Sequence, residues 1–349
     1  MSLSKLKFAM ILSLTLLFGT VAGILGILLW LFGPSLGLIG GLISVVVLSA
    51  FVVGLQWLIA PNLIKWFTRM REIPEEDLQL HWIHEIVEKY SEIAEIKKPK
   101  VYLVWDSTPN AFAFGRTKSS SHLAVHTGLL ERLNKEEIEA VIAHEIGHIK
   151  HWDVAVITVA SMLPLMVYYT IVFFGSFLGR DRDGRGNFLS IILVYLGAFI
   201  AQFLSSLIVM RLGRTRESFA DAFSAVATNN PKALRTGLAK IAYGFPVQGQ
   251  GKDYGGMRSF YFADPINSAK LARVRSDELA KEIETSEHKR SQEKRPSFGA
   301  QELDKVIQWE KDHQFMEWFS SHPLTYKRIQ ALTELETEIK AGKITLKDV

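Results

Sequence analysis

Long stretches without any charged residue alternate with polar stretches along this chain. The first runs over residues 8–64 and is interrupted near its middle by Gly33-Pro34-Ser35. It is far longer than the ~20 residues that one membrane crossing needs, so we predict two spans, at about Phe8–Phe32 and Leu36–Ile59. A cleaved signal peptide is disfavoured, because the apolar run is too long for one and leads into a second span.

Two further charge-free stretches, Val154–Gly179 and Gly186–Met210, flank the polar turn Gly179–Asn187. We interpret them as a second transmembrane hairpin, which gives four spans and places both termini on one side of the membrane. The predicted organisation is an N-terminal hairpin (1–64), a first polar part (65–153), the second hairpin (154–210) and a second polar part (211–349).

Basic residues favour one orientation of this hairpin pair. They flank the predicted inner ends of the spans, at Lys5, Lys7, Lys65, Arg69, Arg71, Arg211, Arg214 and Arg216. The turn between the last two spans also carries arginines, but fewer. Because positive charge is enriched in cytoplasmic loops, we expect a multi-pass protein of the cell membrane with cytoplasmic termini and a cytoplasmic active site.

Periodicity predicts a mixed α and β structure for the first polar part. Apolar residues at helical spacing predict an amphipathic helix at Glu75–Ser91, and alternation predicts strands at Lys100–Trp105 and His122–His126. Asn110–Gly115 lies between the strands and suits either an edge strand that pairs with an extended peptide or an ordinary hairpin. Asn134 is the expected N-cap of the next helix.

The second polar part is predicted to contain a helix at Arg214–Ala227, another at Tyr261–Val274 and a charged, solvated segment at Glu282–Ser297.

Composition limits the chemistry that the chain can perform. Its 349 residues are 48% hydrophobic, carry a net charge of +4 and include no cysteine. Disulfides, a cysteine nucleophile and thiolate metal sites are excluded, so any zinc must be held by His, Asp or Glu. The small and dispersed positive charge gives no case for a nucleic-acid partner.

The main candidate for chemistry is the H-E-x-x-H motif at His144–His148. On a helix, His144 and His148 lie on the same face, where two imidazoles suit zinc. Glu145 beside them is suited to take a proton from a water that the metal activates. A second histidine pair, His81 and His84, lacks a third ligand, so we expect surface histidines with ordinary partners there.

A peptidase zinc site needs a third protein ligand and one open position. Glu217 is the candidate ligand, and Asp221 follows four residues later on the same predicted helix face. One carboxylate is then able to bind zinc while the other accepts the N–H of a ligating histidine. A surface acid pair on an arginine-rich helix is the alternative that these residues alone would favour.

The sequence contains N-A-F-A-F-G at Asn110, H-E-I-G-H at His144, the following Asp153, R-T-R-E-S-F-A-D at Arg214 and S-H-P-L at Ser321. Together these motifs resemble the M48 family of zinc metallopeptidases, and the four predicted spans resemble its HtpX-type membrane heat-shock proteases. The chain departs from the usual pattern at Ser218, where an aromatic is commoner, and at Leu324, which replaces a proline.

The resemblance implies a multi-pass α-helical membrane protein with an α+β zincin domain of the gluzincin type, split by the second transmembrane hairpin. It implies one zinc ion on His144, His148 and Glu217, with Glu145 as general base. Asn110, Ala111 and Phe112 would align the substrate, and His322 would stabilise the oxyanion. The implied partners are the lipid bilayer and polypeptides, in particular misfolded membrane proteins.

Two other functions remain open from the sequence. One is a membrane scaffold or holdase with a closed structural zinc site, for which His151 is the nearest spare ligand. The other is a prenyl-protein peptidase, although such a protein is expected to have more spans.

Overall fold

The computed structural model describes residues 57–59, 61–62, 64–178, 188–243, 307–308 and 310–349. Outside these residues lie almost all of the predicted N-terminal hairpin, the turn Gly179–Asn187, the predicted helix Tyr261–Val274 and the charged segment Glu282–Ser297.

A small mixed sheet lies in the first polar part. Its strands are β1 (Arg71–Glu72), β2 (Lys100–Val104), β3 (Ala111–Gly115) and β4 (Ser121–His126), in the order β1-β2-β4-β3. β2 and β4 are parallel, and the other two pairings are antiparallel. The predicted strands are confirmed. β3 is an edge strand and forms a hairpin with β4, with Phe112 and Phe114 buried, so its sequence is compatible with both interpretations, and pairing with a peptide stays a prediction.

Helices account for most of the remaining described residues. They are α1 (His81–Ile93), α2 (Thr127–Arg132), α3 (Lys135–Lys150), α4 (Asp153–Leu178), α5 (Phe188–Thr228), α6 (Pro231–Tyr243) and α7 (Thr325–Lys340), with short 3-10 helices at Lys118–Ser120 and Gln314–Phe319.

The start of α1 was predicted six residues too early, at Glu75 instead of His81. Pro74 and Asp77 explain the difference, because the Asp77 carboxylate accepts hydrogen bonds from the backbone N–H groups of Gln79 (2.9 Å) and Leu80 (3.0 Å). Such local bonds compete with helix formation, so the helix begins only after this turn.

The start of α3 was predicted correctly. Asn134 Oδ1 accepts a 2.9 Å hydrogen bond from the Glu137 N–H, and Glu137 Oε2 accepts one of 2.9 Å from the Asn134 N–H. This reciprocal capping box satisfies two backbone donors that the helix itself cannot satisfy. It fixes the first turn of the helix that carries the H-E-x-x-H motif.

The main core lies between one face of the sheet and the helices. It includes Val101, Leu123, Val125, Val141 and Phe223, and it joins β2 and β4 to α1, α3, α5, α6 and α7. The alternate strand residues face the opposite side, where Tyr102, Val104, Phe112, Phe114 and Ala124 form a second cluster against Ile64 and Met70. Both sheet faces are therefore covered, which holds the edge strand β3 beside α3.

α4 and α5 pack along each other as a helical hairpin. Within the part of the chain that the structure describes, one helix, Ile192–Thr228, has the length and apolar character needed to cross a membrane. Several large apolar side chains in its charge-free stretch are exposed, including Leu193, Leu196, Phe199 and Phe203. The presence of four spans stays a prediction. The helix continues without a break from the apolar stretch through Glu217 and Asp221.

Candidate active site

The two motif histidines lie on one face of α3 and are oriented by carboxylates from outside it. His144 Nδ1 lies 2.9 Å from Asp221 Oδ1, and His148 Nδ1 lies 2.6 Å from Asp153 Oδ2. A carboxylate at Nδ1 favours the tautomer with its proton on that nitrogen. In both rings, Nε2 is then the nitrogen that can act as a metal ligand.

These nitrogen atoms converge with the carboxylate of Glu217. The Nε2 atoms of His144 and His148 are 3.1 Å apart, and the Glu217 oxygens lie 3.6 Å from the first and 3.4 Å from the second. Ligand atoms about 2.1 Å from a tetrahedral zinc ion are separated by about 3.4 Å. Three acceptors at these distances, two of them on buried residues, repel one another unless a cation lies between them, so the donor set fits zinc.

Glu217 reaches the histidines because α5 packs closely on α3. A Cβ atom at Gly147, the fourth residue of the motif, would lie only 3.2 Å from the Ala220 Cα and from the Phe223 ring. The Ser224 hydroxyl also donates a 2.7 Å hydrogen bond to the Ala140 carbonyl across the two helices. The small residue at position 147 therefore permits the approach that completes the site.

Arg328 on α7 contacts the carboxylates of both Asp221 and Glu217. Its Nε and Nη2 donate to the two oxygens of Asp221 at 2.9 and 2.7 Å, and its Nη1 lies 3.3 Å from Glu217 Oε2. Burial alone would raise the pKa of both carboxyls. For Glu217 the positive charges of His322 and then of Arg328 outweigh burial, and for Asp221 that of Arg328 does, so both pKa values are lowered. Both groups are therefore held as carboxylates.

Glu145 is buried beside the metal group and accepts a 2.8 Å hydrogen bond at Oε2 from the backbone N–H of Ala113 in β3. Burial raises the pKa of Glu145 above its ordinary value. This makes its carboxylate a stronger base than an exposed one. The bond also fixes the distance between α3 and the free edge of β3.

His322 comes to the site from the loop before α7. Its Nδ1 lies 3.1 Å from Glu217 Oε1, and the side chain is buried. The sequence predicted only that a polar loop with a histidine exists in this region. Asn110, Ala111 and Phe112 are buried at the start of β3, on the same edge strand that contacts Glu145.

Three other histidines are not brought into this group. His151 Nδ1 lies 2.7 Å from the Gly147 carbonyl and its ring packs on Phe219, so it is not placed as a fourth ligand. His81 and His84 contact the backbone carbonyls of residues 75 and 73. Ordinary partners were expected for both, but His84 is buried and is not a surface residue.

Sequence reasoning missed two residues that hold the site together. Arg328 binds both acids, and Arg216 forms a buried ion pair with Asp153, the partner of His148. Asp153 itself was noted only as part of a motif. A weak signal existed, since Arg328 lies on the helix that follows the S-H-P-L loop and Arg216 immediately precedes Glu217.

Comparisons with known proteins identify the family of the chain. Residues 77–336 match the family model described as peptidase family M48. A protease HtpX homolog of Aeropyrum pernix is 31% identical over 329 residues, covering 93% of this chain and 96% of the relative. Another, of Methanothermobacter thermautotrophicus, is 37% identical over 245 residues, covering 70% of this chain and 89% of the relative.

A crystal structure of S. mikatae Ste24p covers 95% of this chain and 66% of its own, with a TM-score of 0.49 and 16% identity, a similarity too loose to define a shared fold.

A group of two histidines and a glutamate that could hold a metal ion, in a chain that matches a zinc-dependent peptidase family, defines a zinc-dependent metalloprotease. The chain belongs to peptidase family M48, whose members use zinc, and its substrates are polypeptides.

Proposed function

We propose that this protein is a multi-pass zinc endopeptidase of the cell membrane that cleaves misfolded or damaged membrane proteins at the cytoplasmic face, in protein quality control and the stress response. The observation that carries the proposal is the course of α5. Its charge-free stretch ends at Met210, and Glu217 follows on the same unbroken helix. At 1.5 Å per residue, the third metal ligand lies about 10 Å beyond the apolar stretch.

Each residue of the site has a role in this proposal. His144, His148 and Glu217 hold the zinc, while Asp221 and Asp153 orient the two imidazoles. Zinc held there supplies a Lewis acid that acidifies water and polarises the scissile carbonyl. Glu145 takes the proton of the attacking water and returns it to the leaving amine, a transfer that its raised pKa favours.

The substrate chain is proposed to lie along the free edge of β3. An extended peptide pairs with an exposed strand edge through main-chain hydrogen bonds. The bond between the Ala113 N–H and Glu145 supports this, because it puts this edge beside the residue proposed as general base. Asn110, Ala111 and Phe112 form the part of the strand assigned to alignment, and His322 is assigned to the oxyanion.

The proposal is tested by reconstituting the protein in liposomes with a destabilised membrane protein and with its folded parent. We expect cleavage of the destabilised protein, at sites in its cytoplasmic segments, and little cleavage of the parent. Glu145→Gln should abolish cleavage. Glu136→Gln on the exposed first turn of α3 is the matched control and should cleave normally. Equal cleavage of both substrates, or cuts only on the opposite side, would contradict the proposal.

A further inference from the structure

Two large aromatic side chains project into solvent from the 3-10 helix Gln314–Phe319. Phe315 is 63% exposed and Trp318 is 61% exposed. Trp318 lines a cleft of about 550 Å³ together with Leu207 and Ile208 of α5. These two α5 residues lie in the last turn of the charge-free stretch. A segment of the second polar part is therefore placed beside the last apolar turn of the predicted span.

The segment is fastened to α5 by the residues that follow this turn. Arg214 Nη1 donates hydrogen bonds of 2.7 Å to the carbonyls of Glu317 and Ser320. A Cβ atom at Gly213 would lie 3.1 Å from the Ser321 carbonyl, so the backbones approach closely there. The position of the aromatic pair relative to the span is thus fixed by direct contacts.

The charges of the segment also suit an apolar boundary. Glu317 is the one acid in Gln314–Phe319, and its carboxylate forms an ion pair with Lys327 of α7. An unpaired carboxylate would oppose transfer towards a medium of low polarity, whereas a paired one opposes it much less. Among the described side chains of the segment, the large exposed apolar ones are Phe315 and Trp318.

We propose that Gln314–Phe319 is a bilayer-contacting surface, with Phe315 and Trp318 inserted at the boundary between lipid headgroups and acyl chains. The proposal rests on the membrane topology proposed above. Aromatic rings, tryptophan above all, favour this boundary, and it would cover apolar area that water otherwise contacts. The occupant is lipid because Trp318 lies beside Leu207 and Ile208, at the end of the charge-free stretch of α5.

The same contact affects the active site. Gln314–Phe319 leads directly into the loop that carries His322, which lies against Glu217. Lipid contact with the aromatic pair would hold this loop at a fixed height above the membrane. The His322 side chain is then positioned partly by the bilayer.

The absence of cysteine from the chain permits a direct test of depth. Phe315→Cys is labelled with an environment-sensitive fluorophore in the full-length protein, reconstituted in liposomes that contain lipids with quenchers in the headgroup region or deep in the acyl chains. Leu196→Cys, on the exposed face of α5, is the membrane control. Leu78→Cys, at a 99% exposed position near the Glu75–Lys98 ion pair, is the aqueous control.

We expect the probe at position 315 to be quenched most by the headgroup quencher, the probe at 196 by the deep quencher, and the probe at 78 by neither. If the probe at 196 is quenched by lipid but the probe at 315 is not, the bilayer-contacting surface is overturned and the membrane topology stays intact. Absence of lipid quenching at both 315 and 196 would overturn both proposals.

Discussion

Arg328 forms a bidentate ion pair with Asp221, through Nε at 2.9 Å and Nη2 at 2.7 Å, in the buried interior behind the metal group. Asp221 in turn faces His144 Nδ1 at 2.9 Å. The Arg328 guanidinium therefore holds the Asp221 carboxylate in place, and this carboxylate in turn orients the His144 imidazole. Three elements distant in sequence meet in this chain of contacts.

Removing this guanidinium should weaken zinc binding. In Arg328→Gln, Asp221 loses a bidentate partner and Glu217 loses a nearby positive charge. Loss of partners behind metal ligands typically lowers metal affinity by about 10- to 100-fold. Arg328→Lys should recover only part of this, because an ammonium group does not form the two-pronged contact. Zinc affinity is measured by competition with a chelator.

The matched control for this experiment is Arg235→Gln. Arg235 of α6 forms a partly exposed ion pair with Glu336 of α7, the helix that also carries Arg328. Because pairs of this kind contribute little, zinc affinity should stay at the wild-type value. An equal loss of affinity in both variants would mean that Arg328 acts only through the general stability of α7.

Gly147→Ala should damage the site through packing alone. The added methyl group would lie 3.2 Å from the Ala220 Cα, a backbone atom, so α5 must move away from α3. Overpacking of this kind costs about 1–3 kcal/mol, and here it also separates Glu217 from the two histidines. We expect lower thermal stability and weaker zinc binding, measured on the same preparation.

Gly237→Ala is the control within another helix of the same core. A Cβ atom at position 237 would make ordinary contacts of 3.6 Å or more. Replacing an interior helical glycine by alanine without strain is neutral or stabilises by up to about 1 kcal/mol. A loss of zinc binding in this variant would show that the effect at position 147 is not specific to the approach of α5.

The sequence predicted the parts of this site that follow local rules. His144 and His148 are four residues apart, and so are Glu217 and Asp221. Helical periodicity alone therefore places each pair on one helix face. The capping box at Asn134 is likewise local. The contact between the two helix faces was inferred from the family resemblance and from the need of zinc for a third ligand.

The remaining parts depend on tertiary packing that no local pattern encodes. Arg328 meets Asp221 only because α7 packs against α5, and 107 positions separate the two residues in sequence. The bond from the Ala113 N–H to Glu145 requires the free edge of the β3–β4 hairpin to lie beside α3, and the strand pattern alone does not predict which helix lies there. The start of α1 was misplaced because the side-chain bonds of Asp77 compete with the helix.

Stability should fall at mildly acidic pH through His122. Its ring packs against Tyr102 and Phe114, and burial, aided by the charge of Lys65, lowers its pKa to about 4. In the unfolded chain histidine has a pKa of about 6.5. The unfolded state therefore binds the proton first, and stability is full above about pH 6.5 and is lost as the pH falls towards 4.

His122→Phe should remove this part of the pH dependence. Melting temperatures of both proteins are compared at about pH 7.5 and about pH 5, a pair of values that brackets the unfolded-state pKa. We expect the melting temperature of the wild type to fall more between these pH values than that of the variant. Any loss of zinc should affect both proteins equally. Identical decreases would show that His122 titrates alike in the folded and unfolded states.

The second hairpin should be needed for zinc binding as well as for membrane attachment. His148 lies just before α4, and Glu217 follows the apolar stretch of α5, so the packed pair α4 and α5 connects the two halves of the site. Replacing residues 154–210 by a short polar linker should abolish tight zinc binding, measured by metal analysis after chelator treatment. A soluble deletion variant that retains zinc would contradict this.

The central claim is that the group formed by His144, His148 and Glu217 holds zinc for proteolysis, with Glu145 as the group that moves the proton. The most direct test measures zinc content and cleavage of an unfolded polypeptide by Glu145→Gln on the same sample. We predict wild-type zinc content with cleavage reduced by at least about 100-fold, as expected for loss of a general base. Cleavage at the wild-type rate by this zinc-loaded variant would contradict the account.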